Sequence, residues 1–124
     1  MRRVLVAALG AVLVGSACSS SSYGPGSGGN AQPGANQVFM QSSAFNPVTR
    51  TVAVGTLVTW VNKDGFAHTA TSSSAPAGAA TFSSGNVAGG GQFQVTFATA
   101  GTYQYYCTIH GSPGAGMHGT VVVQ

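Results

Sequence analysis

Charged side chains are scarce in this chain of 124 residues: they make up 4% of the sequence, whereas about a quarter is usual. Asp64 is the only acidic residue, so catalysis by a pair of carboxylates is excluded. Two of the four cationic residues, Arg2 and Arg3, lie at the extreme N-terminus. The remainder of the chain contains Arg50, Lys63 and Asp64, so its formal charge is +1. Two isolated cations cannot neutralise a phosphate backbone, so we expect no nucleic-acid partner.

Long hydrophobic runs are also lacking. The apolar run at residues 4–14 is too short to span a bilayer, but it follows a basic N-terminus and has the length of a signal peptide's apolar region. It ends at Gly15-Ser16-Ala17-Cys18, a small-residue cleavage site that resembles the lipobox of bacterial lipoproteins. The sequence therefore predicts export, with a signal peptide at residues 1–17.

Lipidation of Cys18 would anchor the mature protein at the extracytoplasmic face of a bacterial cell membrane. Cleavage after Ala17 without lipidation would instead release it into the periplasm or the medium. Residues 18–36 are rich in Ser, Gly and Pro and show no apolar period, so we expect a flexible linker.

Cysteine is almost absent too, with Cys18 and Cys107 as the only two. An even count in an exported chain usually indicates a disulfide. Here one cysteine lies at the predicted cleavage site and the other near the opposite end, so we expect no bond between them. Because a free thiol is readily oxidised in such a compartment, we expect Cys107 to be occupied by a ligand.

Residues 37–124 form one domain, since short runs of Val, Thr, Phe and Tyr alternate with Gly, Pro and Asn and no helical period occurs. The chain is too short for a multidomain enzyme. Seven short strands within about ninety residues predict an all-β sandwich. The candidate strands are residues 38–41, 49–54, 57–62, 68–72, 92–97, 101–107 and 119–123.

The alternation of side chains indicates where the Cys107 thiol points. Tyr103, Tyr105 and Cys107 lie on one face of a strand, and Val58 with Trp60 on one face of another. Large aromatic residues on these faces indicate the core, so the thiol of Cys107 is predicted to point inward.

Potential metal ligands are concentrated in one segment with the spacing C-x2-H-x6-M, formed by Cys107, His110 and Met117. They can converge because a loop that leaves and re-enters a sandwich brings its ends together, and His68 is the candidate for a fourth ligand. A thiolate, two imidazoles and a weakly bound thioether suit blue copper. One thiolate with two imidazoles also suits tetrahedral zinc.

Taken singly, each of these residues has a simpler explanation. A buried cysteine is most often a small apolar residue, a lone histidine such as His68 usually lies at the surface or is satisfied in the core, and Met117 could fill the core. Their order and spacing together favour a metal site. Strand alternation points His118 away from Met117, so we expect His118 to face solvent rather than bind metal.

Several short motifs follow one another along the domain, each occurring once. Through these motifs, the whole stretch from about residue 38 to residue 123 resembles the cupredoxins, especially the plastocyanin, pseudoazurin and amicyanin group. The motifs are Phe45-x-Pro47, Gly55-x-x-Val58-x-Trp60-x-Asn62, His68, Phe82-x-x-Gly85, Gly101-Thr102-Tyr103-x-Tyr105-x-Cys107-x-x-His110 and Gly116-Met117-x-Gly119-x-Val121.

The resemblance implies a Greek-key β-sandwich of seven to eight strands with one mononuclear type 1 copper. The implied ligands are His68, Cys107, His110 and Met117. Asn62 and Thr69 are expected beside them, and Thr69 stands where the family often has an Asn that ties the two ligand loops together.

The implied activity is one-electron transfer by Cu(II)/Cu(I) cycling, without enzymatic catalysis. A multicopper enzyme needs further histidines, and only His118 would be left for them. The alternative functions are copper storage or delivery without redox turnover and, with no metal at all, a surface lipoprotein that binds another protein.

In the family, electrons pass through the histidine of the Cys-to-Met loop, here His110. Uncharged residues are expected around it, and we call them the docking patch: Phe66, Ala67, Gly111 and Pro113. Such a surface suits transient contact of a monomer with a redox donor and a redox acceptor. Because charge is scarce, long-range electrostatic steering is predicted to be weak.

Overall fold

A computed structural model describes residues 31–124, so the predicted signal peptide, Cys18 and most of the predicted linker lie outside the described residues. No helix in residues 31–124 is both long and apolar enough to cross a membrane. The domain consists of eight strands: β1 (Gln37–Gln41), β2 (Ala44–Asn46), β3 (Thr49–Val52), β4 (Thr56–Asn62), β5 (Thr71–Ser74), β6 (Gln92–Phe97), β7 (Gly101–Ser112) and β8 (Ala115–Val123).

The strands form two mixed sheets of four, in the orders β2-β1-β4-β6 and β3-β8-β7-β5. β1 runs parallel to β4 and β3 parallel to β8, while the other neighbours are antiparallel. This arrangement confirms the predicted all-β sandwich of seven to eight strands.

The core lies between the sheets, and the predicted alternation of side chains is confirmed. Trp60 of β4 and Tyr105 of β7 are both fully buried, with ring centroids 5.3 Å apart and ring planes nearly perpendicular. Edge-to-face contacts of this kind are favourable because the positive edge of one ring meets the negative face of the other. Cys107, two residues beyond Tyr105, is also fully buried and points inward as predicted.

The prediction of a strand at residues 68–72 differs from the structure, in which β5 starts only at Thr71. His68 makes an isolated bridge to Val87, and the backbone amide of Thr69 donates to the sulfur of Cys107 instead of to a neighbouring strand. Residues 68–70 are therefore held by hydrogen bonds to residues 84–87 and to the sulfur of Cys107 rather than by continuous pairing with a strand.

β2 was not predicted from the sequence, and it pairs with β1 through a two-residue turn. Ser42 and Ser43 form this turn, and both have positive φ angles, 55° and 54°. Turns of this kind usually carry Asn-Gly or Asp-Gly, so two serines give no hairpin signal in the sequence.

Residues 34–36, assigned to the flexible linker by the sequence, contact the domain. The carbonyl oxygen of Gly34 accepts a hydrogen bond of 3.1 Å from Arg50, and the carbonyl oxygen of Asn36 accepts one of 2.9 Å from the amide of Thr59. The contacts of the domain therefore begin a few residues before position 37.

Candidate metal centre

Three donor atoms come together at one end of the sandwich: Nδ1 of His68, Sγ of Cys107 and Nδ1 of His110. The sulfur lies 3.8 Å from the first nitrogen and 3.7 Å from the second, and the two nitrogens are 3.1 Å apart. A circle through three such atoms has a radius of about 2.1 Å, close to metal–nitrogen bond lengths in proteins. The three side chains can therefore share one metal ion without rearrangement.

An irregular stretch of β7 brings Cys107 and His110 to the same side. Residues three apart on a regular strand point to opposite faces, but the β7–β8 register shifts between Tyr106 and Gly111. Beyond this bulge the strands pair again, with Gly111 opposite Gly116. The segment predicted as a ligand loop is thus a bulge followed by a tight hairpin.

His68 comes from a different segment, between β4 and β5. Its backbone bonds to Val87 in both directions, over 3.1 Å and 2.7 Å, and its side chain is fully buried. His110 by contrast reaches the protein surface. The cluster thus has one buried imidazole and one exposed imidazole.

The environment of Cys107 favours the thiolate. Burial raises the pKa of this thiol, but hydrogen bonds from the backbone amides of Thr69 and Ile109, together with the polar contacts of the sulfur with His110 and His68, outweigh burial and lower the pKa to about 6. Because the thiolate is the form that binds metals, the metal-free site is already close to the binding form at neutral pH.

On the far side of the His68 ring, Nε2 lies 2.7 Å from Oδ2 of Asp64. The backbone amides of Ser42 and Ser43 donate to the same carboxylate, over 2.8 Å and 3.1 Å. Burial raises the pKa of Asp64, but these two amides and His68 outweigh it, so the pKa lies below its ordinary value. From the sequence, Asp64 was considered only as the single acidic residue, and its position four residues before His68 was the signal that could have linked it to the site.

Thr69 connects the two ligand segments. Its hydroxyl oxygen accepts a hydrogen bond of 2.8 Å from the amide of Thr108, and its own amide donates to Sγ of Cys107 over 3.3 Å. The structure thus places Thr69 between the segments, where the family's Asn was expected to act.

Asn62 is buried and stabilises the segment that leads to His68. Its amide nitrogen donates to the carbonyl oxygens of Phe66 and Val87, over 2.7 Å and 2.8 Å, and its Oδ1 accepts from the amide of Asp64 over 3.0 Å. It therefore acts on the buried imidazole indirectly, through the backbone.

Met117 is buried on β8, whereas His118 is partly exposed and its Nδ1 lies 2.9 Å from the carbonyl oxygen of Gly116. His118 is thus outside the cluster, as expected. A side chain at Gly111 would lie 2.6 Å from the backbone of Met117, so the hairpin strands pack closely here. The thioether of Met117 as a ligand stays a prediction.

Of the predicted docking patch, Phe66 lies next to the imidazole of His110. Phe66 is 50% exposed, and its ring centroid lies 5.4 Å from that of His110. Pro113 is exposed, while Ala67 and Gly111 are half-buried. Ile109, also 50% exposed, was not predicted as a patch residue, although it directly precedes His110, and the docking patch therefore includes Ile109 as well.

Comparison with known proteins agrees with this geometry. The family described as copper binding proteins of the plastocyanin/azurin family matches residues 34–124. The plastocyanin of Scenedesmus fuscus is 41% identical over 86 residues, covering 64% of this chain and 86% of that protein. The chloroplastic plastocyanin of Tetradesmus obliquus is 40% identical over 86 residues, covering 64% of this chain and 58% of that protein.

Solved structures give the same result. The Cu(I) form of a methionine-to-alanine variant of amicyanin has a TM-score of 0.62 and 30% identity, covering 77% of this chain and 87% of that one. A copper-containing nitrite reductase from Thermus scotoductus SA-01 has a TM-score of 0.63 and 29% identity, but the match covers only 22% of that chain. The chain therefore belongs to the plastocyanin/azurin family of copper-binding proteins, with His68, Cys107 and His110 positioned as a single type 1 copper site.

Proposed function

We propose that this protein carries single electrons between a donor and an acceptor at the outer face of a bacterial membrane. The observation that carries the proposal is the asymmetry of the donor set. The sulfur of Cys107 is fully buried, whereas the imidazole of His110 reaches the surface within an uncharged patch. Copper bound there supplies a Cu(II)/Cu(I) couple that exchanges one electron.

The chain's own residues hold the donor atoms in place. Thr69 bonds to Cys107 and Thr108, and His68 is held by its backbone bonds to Val87. Ligands fixed in this way change position little when the charge of the site changes, which lowers the reorganisation that electron transfer requires. We propose Met117 as the fourth, weakly bound ligand from the next strand.

The docking patch defines how a partner approaches. Phe66, beside the His110 ring, and Ile109, which directly precedes His110, both present apolar surface, so a partner can exclude water there without desolvating charges. A small apolar contact suits brief encounters, and we propose that the protein acts as a monomer.

An absorption spectrum of the full-length protein with Cu(II) tests this function. We expect an intense visible band that is absent in Cys107→Ala, retained in Cys18→Ala, bleached by ascorbate and restored by ferricyanide. A colourless protein, or one that binds copper equally well without Cys107, would overturn the proposal.

Retention of copper distinguishes a carrier from a storage or delivery protein. After reduction, a carrier keeps Cu(I) in the presence of a moderate Cu(I) chelator and can be reoxidised to the same band. Rapid transfer of the metal to the chelator on reduction would favour delivery over electron transfer.

The location at the membrane rests on the signal peptide and Cys18 predicted from the sequence. Lipidation places the wild-type protein in the detergent phase of a Triton X-114 partition, whereas Cys18→Ala should move to the aqueous phase. Partition of the wild type into the aqueous phase would instead support cleavage and release.

A further inference from the structure

The only carboxylate side chain in the sequence lies against the buried histidine of the metal centre. Oδ2 of Asp64 is 2.7 Å from Nε2 of His68, while Nδ1 of the same ring lies 3.8 Å from Sγ of Cys107. One edge of the imidazole therefore faces the donor cluster and the other edge faces a carboxylate.

The carboxylate is itself held in place from a third part of the chain. The amides of Ser42 and Ser43, in the β1–β2 turn, bind its two oxygens. Two consecutive non-glycine residues with positive φ are unfavourable, and these bonds to Asp64 help offset that cost. The backbone amide of Asp64 is fixed in turn by Asn62.

This environment restricts the carboxylate as well as the ring. The side chain of Asp64 is 13% exposed and that of His68 is fully buried, so the pair is largely shielded from water. Charges interact more strongly in such surroundings than at an exposed surface. Hydrogen-bond partners of ligating histidines fix both the ring orientation and the nitrogen that carries the proton.

We propose that Asp64 is a positioning residue of the metal centre, which holds His68 with its proton on Nε2 and its free lone pair on Nδ1. Its negative charge next to a ligand favours Cu(II) over Cu(I) and lowers the reduction potential. This second part rests on the proposed copper function, whereas the first part concerns the metal-free chain.

The first test uses the metal-free, full-length, ¹⁵N-labelled protein at pH 8. Long-range ¹H–¹⁵N spectra distinguish the two imidazole tautomers, and we expect the Nε2 of His68 to carry a proton and its Nδ1 to carry none. A proton on Nδ1, or rapid exchange between the tautomers, would overturn the positioning role. This outcome depends neither on copper nor on a variant that must fold.

The second test compares the copper-loaded wild type with Asp64→Asn. Asparagine keeps an oxygen that can accept from Nε2 but removes the charge. We expect the visible band to be retained and the preference for Cu(I) over Cu(II) to rise on the order of tenfold, which is about 59 mV for one electron.

Lys63→Gln is the matched control, because it changes the charge by one at the neighbouring exposed residue, which contacts Phe39 rather than His68. We expect a much smaller shift there, of opposite sign. An unchanged potential in Asp64→Asn with an intact band would refute the electrostatic part alone. A wild type without a Cys107-dependent band would instead refute the proposed copper function and leave the tautomer result to decide on Asp64.

Discussion

The hydroxyl oxygen of Thr69 accepts a hydrogen bond of 2.8 Å from the backbone amide of Thr108, which joins the segment of the buried histidine to the strand of the cysteine. The amide of Thr69 also donates to Sγ of Cys107. One residue thus fixes the relative position of two segments that lie almost forty residues apart in the sequence. This connection positions the donor atoms independently of the metal.

Replacement of Thr69 by Val keeps the shape of the side chain but removes the acceptor. We expect Thr69→Val to lower the free energy of unfolding of the metal-free protein by about 1 kcal/mol, because the amide of Thr108 loses its partner. Urea denaturation measures the change, and Thr69→Ser, which keeps the oxygen, should lose less. Equal stabilities of Thr69→Val and wild type would show that the connection contributes nothing.

The stability of the metal-free protein should rise with pH between about 6 and 9. The pKa of Cys107 is about 6 in the folded chain and 9.0 for an ordinary thiol, so the unfolded chain binds more protons in this interval. The stabilisation is fully present above pH 9 and is lost as the pH falls through about 6. Denaturation of the metal-free protein across this range measures it.

Cys107→Ser is the control for this pH dependence, since serine does not titrate in the interval. We expect the difference in stability between wild type and Cys107→Ser to grow with pH and then level off near pH 9. A constant difference would mean that the hydrogen bonds to the sulfur do not favour the thiolate. Thiolate absorbance in the ultraviolet should show the same midpoint.

The sandwich and its core could be predicted because side chains along a strand alternate between the two faces of the sheet. This alternation can be recognised within a few consecutive residues of the sequence. The inward direction of Cys107 followed from its position two residues after Tyr105 and four after Tyr103, and all three are buried. The metal ligands could be predicted for a related reason, since two of the three clustered residues, Cys107 and His110, lie within one short segment of the sequence.

Contacts between distant segments could not be predicted in this way. The bond between Asp64 and the Ser42–Ser43 turn joins residues about twenty positions apart, and neither the turn type nor β2 has a sequence signal. The bulge that brings His110 to the same side as Cys107 likewise depends on the pairing with β8. These features therefore depend on the pairing of distant segments, which the local pattern of the sequence does not specify.

A side chain at Gly119 should destabilise the domain. A Cβ there would lie 2.6 Å from the ring carbon and oxygen at the tip of Tyr105 and 3.0 Å from the carbonyl oxygen of Val48. The Tyr105 ring cannot move away easily, because the rings of Phe45 and Trp60 pack against it at 4.7 Å and 5.3 Å. Overpacking of this kind costs about 1–3 kcal/mol.

Urea denaturation of Gly119→Ala measures this cost. Gly65→Ala is the matched control, because nothing lies within 4 Å of its Cβ position and no positive φ is needed there. We expect Gly65→Ala to remain close to the wild type. If both variants unfold at the same urea concentration, the close approach of Gly119 to Tyr105 does not constrain the core.

Electron self-exchange between oxidised and reduced copies should depend little on salt. The charged Lys, Arg and Asp residues among positions 31–124 are Arg50, Lys63 and Asp64, so two copies that meet through the docking patch repel each other weakly. Line broadening in NMR spectra of mixed redox states gives the rate, and we expect a change of less than about twofold between low and moderate ionic strength.

A charge introduced into the docking patch should change this behaviour in a defined direction. In Ile109→Lys two like charges face each other in the encounter, so self-exchange should slow and then recover as added salt screens the repulsion. Leu57→Lys adds the same charge at another exposed apolar residue, outside the docking patch, and should have a smaller effect. Equal slowing in both variants would show that net charge, rather than contact through the surface around His110, controls the encounter.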